Sequence, residues 1–327
     1  MTANYLITGG AGFIGSHLAD ALVARGERVA ILDNVSTGRV DNIAHLLGRD
    51  DVRFHQGSIL DEDTLRKLVD QADVVVHLAA SVGVKLIVER PLEALMNNIR
   101  GTEIVMEACA DLDRPVLIAS TSEIYGKNAF GALHEDSDRI LGSPTKARWS
   151  YSTAKAVDEI FAYTYFRERG TPATVVRLFN CVGPRQTGAY GMVVPRFVRQ
   201  ALLGEDITIY GTGQQSRCFC HVHDTVAGVL SVMDHPDAIG DVFNIGAPHE
   251  ITIADLATTI RDMTGSSSDI VFVPYDQAYE SGFEDMERRI PDVSKIGALT
   301  GWQPTRSLAD ILSDVIAFER SRVDRSA

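Results

Sequence analysis

The chain has 327 residues and a mass of 35.6 kDa, with 45% hydrophobic and 23% charged side chains, enough to bury a large core and to build two lobes. Its formal charge of −13 argues against a nucleic-acid partner, because phosphate backbones select basic surfaces, and an anionic ligand must be met by locally gathered arginines. No apolar run reaches the roughly 18 residues of a membrane span, and MTANYLITGG enters a strand without a basic and then apolar leader, so no membrane association and a cytoplasmic location are expected.

In chain order, short apolar runs alternate with helical stretches: YLIT at 5–8, VAILD at 29–33, VRFHQ at 52–56, VVVHLAA at 74–80, VLIAS at 116–120 and ATVVRLF at 173–179. The alternation predicts an α/β fold, a doubly wound parallel sheet of the Rossmann kind with helices on both faces. After the first run, TGGAGFIGSHL sets Gly9, Gly12 and Gly15 in a GxxGxxG pattern that opens a helix. Glycine permits a tight turn there and lets backbone amides approach a pyrophosphate at the positive end of the helix. Asp33 closes the second run, where a carboxylate accepts hydrogen bonds from the adenosine ribose and repels a 2′-phosphate, so NAD is expected rather than NADP. His17 reads as a helix residue without a chemical role.

Residues 91–110, PLEALMNNIRGTEIVMEACA, carry apolar positions at helical spacing behind a proline start. IASTSEIYG at 118–126 then leaves a strand with Thr121, Ser122 and Glu123 in succession, at the kind of strand end where parallel sheets hold ligands. Tyr151 and Lys155, four apart, share one helical face. The ammonium can favour the phenolate, help that a tyrosine ionising near pH ~10 needs to act as a base. Past residue 180 the texture changes, with glycine and proline clusters at GPRQTGAYG and YGTGQQ. We therefore expect a dinucleotide-binding domain at 1–181 and a smaller α/β substrate lobe at 182–327, with part near 218–246, including FNIG at 243–246, rejoining the first.

Arg185 and Arg217 are expected pyrophosphate clamps, because guanidinium pairs bidentately with phosphate oxygens. The four cysteines, Cys109, Cys181, Cys218 and Cys220, have no CxxC spacing, so neither a disulfide framework nor a metal site is expected. Trp302 reads as core.

Taken together, TGGAGFIGSH, HLAA at 77–80, NNIRGT at 97–102, STSEIYG, YSTAK, LFNCVGPRQ, YGTGQQSRCF and FNIG resemble the extended short-chain dehydrogenase/reductase superfamily, specifically its nucleotide-sugar epimerases, dehydratases and decarboxylases, over nearly the whole length. The resemblance implies NAD, a catalytic triad of Thr121, Tyr151 and Lys155, and cofactor contacts from Phe13, Ile14, Asn34, Ser36, Gly38, Ser58, Ile59, Leu78, Ala79, Ala80 and Asn98 beside the glycines and Asp33. Ser58 departs from the family, which usually has Asp near the adenine. Substrate contacts are implied for Asn180 and for Val194 in MVVP, and a homodimer through the helices carrying NNIRGT and YSTAK.

By the same resemblance Tyr151 takes a proton from the sugar C4 hydroxyl while hydride passes to NAD, leaving a 4-keto sugar. Epimerases of the group generally have a small uncharged residue where Glu123 stands, and dTDP-glucose dehydratases read Thr-Asp-Glu. GDP-mannose dehydratases and UDP-glucuronate decarboxylases both read Thr-Ser-Glu. GFEDMERRIPDV at 282–293 is similar to the decarboxylase segment that brings an arginine into the site, here Arg289. The expected reaction is oxidative decarboxylation of UDP-glucuronic acid to a UDP-4-keto-pentose or UDP-xylose. A ketone at C4 lies β to the carboxyl carbon, so the electrons left by CO₂ spread into an enolate. A UDP-sugar 4-epimerase and a nucleotide-sugar 4,6-dehydratase are the alternatives, and a non-catalytic NAD-binding module fits poorly with the triad residues present.

Overall fold

A computed structural model describes residues 2–82, 91–146, 149–188, 191–274, 286 and 288–326. The first half runs β1 (Asn4–Thr8), α1 (Phe13–Ala24), β2 (Arg28–Asp33), β3 (Val52–Gln56), α2 (Glu62–Asp70), β4 (Val74–His77), α3 (Pro91–Leu95), α4 (Gly101–Asp111), β5 (Val116–Thr121), α5 (Ser150–Arg169) and β6 (Ala173–Leu178). There follow β7 (Cys181–Val182), α6 (Val193–Leu203), β8 (Ile207–Tyr210), β9 (Ser216–Cys218), β10 (Cys220–His221), α7 (Val222–Met233), β11 (Val242–Ile245), β12 (Glu250–Thr252), α8 (Ile253–Thr264), β13 (Ile270–Val273), α9 (Ser294–Thr300) and α10 (Leu308–Ser326).

Seven strands form one parallel sheet in the order β3-β2-β1-β4-β5-β6-β11. Its strands are β-branched and apolar because both faces are covered, and successive residues serve opposite sides. Leu6 packs with Leu32, Val75, Ile118 and α4, while its neighbour Ile7 packs with Ile31, Val76, α1 and α7. The sheet is the expected doubly wound fold. The order reverses between β1 and β4, which opens a crevice at their carboxyl ends. A separate apolar cluster, including Val194, Phe197, Ile207, Leu256, Ile260, Leu312 and Val315, joins α6, α8 and α10. Trp302 is buried, its Nε1 donating to the Asp224 carbonyl at 3.0 Å.

Two elements differ from the periodicity. β4 ends at His77, and Leu78, Ala79 and Ala80 leave the ladder to face the crevice. The 91–110 stretch is interrupted by a π turn at Met96–Arg100 between α3 and α4. Such wider turns re-aim side chains and recur at functional sites. None of the described helices is long and apolar enough to cross a membrane.

Candidate active site

One cavity of about 510 Å³ lies over the carboxyl ends of the sheet and is lined from both halves of the chain. Its floor begins with the turn between β1 and α1. Gly9 sits at φ +74, and a Cβ there would lie 2.7 Å from the Ala79 nitrogen. A Cβ on Gly15 would lie 2.4 Å from the Gly9 carbonyl oxygen, so the loop closes only without side chains. The result is a cradle of bare backbone leading into α1, the shape and polarity a pyrophosphate requires. Asp33 stands beside it, its Oδ2 accepting from the Ala11 amide at 2.9 Å and its Oδ1 from Val35 at 2.7 Å. Burial raises its pKa against the pull of those amides. These residues fit a dinucleotide: an open backbone cradle for the phosphates and a buried carboxylate for a ribose.

The opposite wall starts where β5 ends. Thr121 is still in register with Leu178 of β6, and its Oγ1 accepts from the Glu123 amide at 3.2 Å, which turns the chain into the short Ser122–Tyr125 helix. Arg289 arrives from the far end of the sequence and donates to Glu123 Oε1 at 2.8 Å, Ser122 Oγ at 3.2 Å and Asn180 Oδ1 at 3.3 Å. The Arg289 and Glu123 side chains are only 7% and 15% exposed, so this is a nearly desolvated ion pair rather than a surface contact.

Tyr151 and Lys155 rise from the first turns of α5, both buried and both facing the cavity. Lys155 Nζ lies 2.7 Å from Asp158 Oδ2, one turn on, so the ammonium is half of a buried ion pair on the helix that carries the phenol. Beneath them His77 bridges Thr8 Oγ1 at 2.7 Å and Thr102 Oγ1 at 3.1 Å. Burial, with the Lys155 charge adding to it, pushes its pKa down to about 3, so His77 is a neutral strut.

Of the cofactor residues expected from sequence, Gly9, Gly12, Phe13, Ile14, Gly15, Asp33, Asn34, Ser36, Ser58, Ile59, Leu78, Ala79, Ala80, Tyr151 and Lys155 line the cavity. So do Thr121, Ser122, Glu123, Asn180, Val194, Arg217 and Arg289. Three others stand elsewhere. Gly38 lies behind the loop, where a Cβ would meet Ala11 backbone carbon at 2.9 Å. Asn98 turns inward to accept from the Ser81 amide at 2.7 Å, and the π turn brings its neighbour Asn97 to the cavity instead. Arg185 is a correction: it is not among the lining residues, because it pairs with Asp20 of α1 at 2.8 Å and is held away from the crevice. Of the GFEDMERRIPDV segment, only Met286 and the residues from Arg288 onward lie within the described residues.

Arg196 and Tyr210, whose pairing no motif signals, also line the cavity. The Arg196 guanidinium stacks over the Tyr210 ring at 4.2 Å and donates to Thr208 Oγ1 at 3.2 Å. YGTGQQ was legible as a motif, but nothing local pairs residue 210 with a helix fourteen residues earlier. All four cysteines are free, and burial pushes Cys109, Cys218 and Cys220 up to about 12, which makes them poor nucleophiles. Among the described residues no group of three or more His, Cys, Asp or Glu could hold a metal ion. His17 Nε2 donates to the Pro184 carbonyl at 3.0 Å, and burial lowers its pKa to about 4.

The model of the NAD dependent epimerase/dehydratase family matches residues 5–246. The chain is similar to the UDP-N-acetyl-alpha-D-glucosaminuronate decarboxylase of Bacillus cytotoxicus, 42% identical over 321 residues that cover 98% of each protein. It is also similar to UDP-glucuronic acid decarboxylase 1 of Xenopus tropicalis, 34% identical, with 98% of this chain and 73% of that protein covered. Among solved structures, the UDP-glucuronic acid 4-epimerase of Bacillus cereus, in complex with UDP-glucuronic acid and NAD, matches with a TM-score of 0.88 at 30% identity, covering 98% of this chain and 99% of the other. The sheet order, the glycine cradle and these matches agree, and the chain is a member of the NAD dependent epimerase/dehydratase family, an enzyme whose cofactor is NAD.

Proposed function

We propose that the protein catalyses the oxidative decarboxylation of a UDP-hexuronate, with UDP-glucuronic acid as the reference substrate. The observation that carries this reading is the buried Glu123–Arg289 ion pair in the same cavity as Tyr151 and Lys155. NAD, when bound, accepts the hydride from C4 of the sugar. Tyr151 takes the C4 hydroxyl proton, with the Lys155–Asp158 pair beside it, and Thr121 orients that hydroxyl. The product is a β-keto acid. Its C5–C6 bond breaks, CO₂ leaves, and the bonding pair moves into the C4–C5 enolate, which then takes a proton at C5. Arg289 supplies a guanidinium to the departing carboxylate and to the enolate charge, and its five donors allow it to keep Glu123 while doing so. Ser122 and Glu123 hold the ring and route the proton. Arg217 faces the diphosphate.

In this reading residues 1–181 carry the cofactor and 182–327 the nucleotide sugar, with Val242–Ile245 returning to the first sheet. A second substrate, the 2-acetamido hexuronate, is favoured by one observation: the higher identity, 42%, is to a protein named for it. The test is to incubate purified protein and NAD with each UDP-hexuronate and with UDP-glucose, and to measure CO₂ and product mass. Loss of one CO₂ from a hexuronate supports the reading. A hexuronate recovered with only its C4 configuration inverted would make the protein a 4-epimerase instead.

We further infer a homodimer. Leu92, Met96, Ile160 and Tyr163 are 72%, 53%, 58% and 54% exposed along α3, the π turn and α5, elements that pack side by side, and such a stripe calls for a second copy. Free cysteines throughout fit the reducing cytoplasm.

A further inference from the structure

Glu123 and Arg289 are 166 residues apart, yet the segments that carry them both meet one side chain that does not line the cavity. Asn244 of β11 is fully buried. Its Oδ1 accepts from the Tyr125 hydroxyl at 2.8 Å, and Tyr125 closes the short helix that carries Ser122 and Glu123. Its Nδ2 donates to the Leu133 carbonyl at 2.9 Å and to the Asp292 carbonyl at 3.1 Å. Leu133 in turn clasps the chain on both sides of Pro291, donating to the Ile290 carbonyl at 2.8 Å and accepting from the Asp292 amide at 2.8 Å. Arg289 is the residue immediately before that clasp.

From this geometry we infer that Asn244 is a positioning residue for decarboxylation: one buried amide sets the separation between the Glu123 segment and the Arg289 segment. Both of its donors and its carbonyl oxygen are engaged in that task, joining Tyr125, Leu133 and Asp292, each far from Asn244 in sequence. Its effect is selective for a physical reason. Thr121 is fixed by the β5–β6 ladder and Tyr151 and Lys155 by the backbone of α5, which the Asn244 side chain reaches, among the described residues, only through Tyr125 and Arg177, whereas Ser122, Glu123 and Arg289 lie beyond the ladder. Loosening Asn244 therefore leaves the hydride step in place and misaligns the groups that act on the carboxylate.

The inference rests on the decarboxylase reading, and the experiment separates the two. Asn244→Asp keeps the shape and the acceptor for Tyr125, but turns both donors into an oxygen facing two carbonyls. In stopped-flow absorbance with a UDP-hexuronate, NADH formation is expected to stay within about threefold of wild type, while CO₂ release falls by about tenfold or more, chiefly in kcat, as misplacement of reacting groups dictates. Tyr125→Phe removes the hydroxyl that donates to the same amide and also accepts from Arg177 at 2.9 Å, and is expected to lower the CO₂-to-NADH ratio in the same direction by less. If both variants keep the wild-type ratio, or lose the two rates in parallel, the inference is overturned. A wild-type protein that forms NADH but releases no CO₂ overturns the decarboxylase reading, and the inference with it.

Discussion

The two walls of the cavity are built in opposite ways. The core of the cofactor wall is contiguous: Gly9 to Asp33 spans one turn, one helix and one strand, and its shape follows from where a Cβ would collide. The sugar wall is assembled from Glu123, Asn180, Arg217 and Arg289, each on a different segment, and it is held by side-chain hydrogen bonds across the fold. A local wall is set by neighbouring residues, whereas a wall made of tertiary contacts depends on each distant side chain separately, and in the proposed mechanism it is the second wall that chooses among reactions on a 4-keto sugar.

Tyr151 stands where the walls meet, so its loss breaks both. Tyr151→Phe is expected to lower NADH formation and CO₂ release together by about 10³-fold, with NAD affinity retained, as removal of a general base does; NAD titration by fluorescence beside turnover checks it. Arg289→Lys strikes the sugar wall alone. Losing the planar fork is expected to reduce CO₂ release about 10²-fold while transient NADH still appears. Equal losses in both signals would erase the distinction between the walls.

On the cofactor wall, Asp33→Asn removes the charged acceptor and is expected to weaken NAD binding about tenfold by calorimetry, without changing the partition of the 4-keto sugar. Because burial raises the pKa of Asp33, NAD affinity is also expected to decline on acidification sooner than an ordinary carboxylate near ~3.9 would dictate. The exposed apolar stripe proposed as a dimer face stands outside the cavity, and Ile160→Lys with Tyr163→Glu is expected to yield a monomer in sedimentation analysis.

The smallest expected effect concerns the strut beneath the seam. His77 has a folded pKa of about 3, below the ~6.5 of an unfolded histidine, so the unfolded state binds the extra proton. The stability from keeping it neutral is present above pH ~6.5 and is lost as pH falls toward the folded value, by about 1.4 kcal/mol per unit. Urea unfolding between pH ~7 and ~5 should show a shallower slope for His77→Asn than for wild type.

Much of this architecture is legible in the residues alone. The alternation of β-branched runs with helices specifies a parallel sheet, and the glycine spacing after YLIT specifies a turn that only bare backbone can make, because both depend on neighbours within a few positions. The same locality explains why Tyr151 and Lys155 could be placed together. Tertiary structure alone decided the rest: that Arg185 goes to Asp20 and not to the cavity, that a π turn exchanges Asn97 for Asn98, that Arg196 stacks on Tyr210, and that Asn244 ties the Glu123 and Arg289 segments together. Each of these turns on which distant groups can satisfy one another's hydrogen bonds once water is excluded, and no pattern within a short window carries that information.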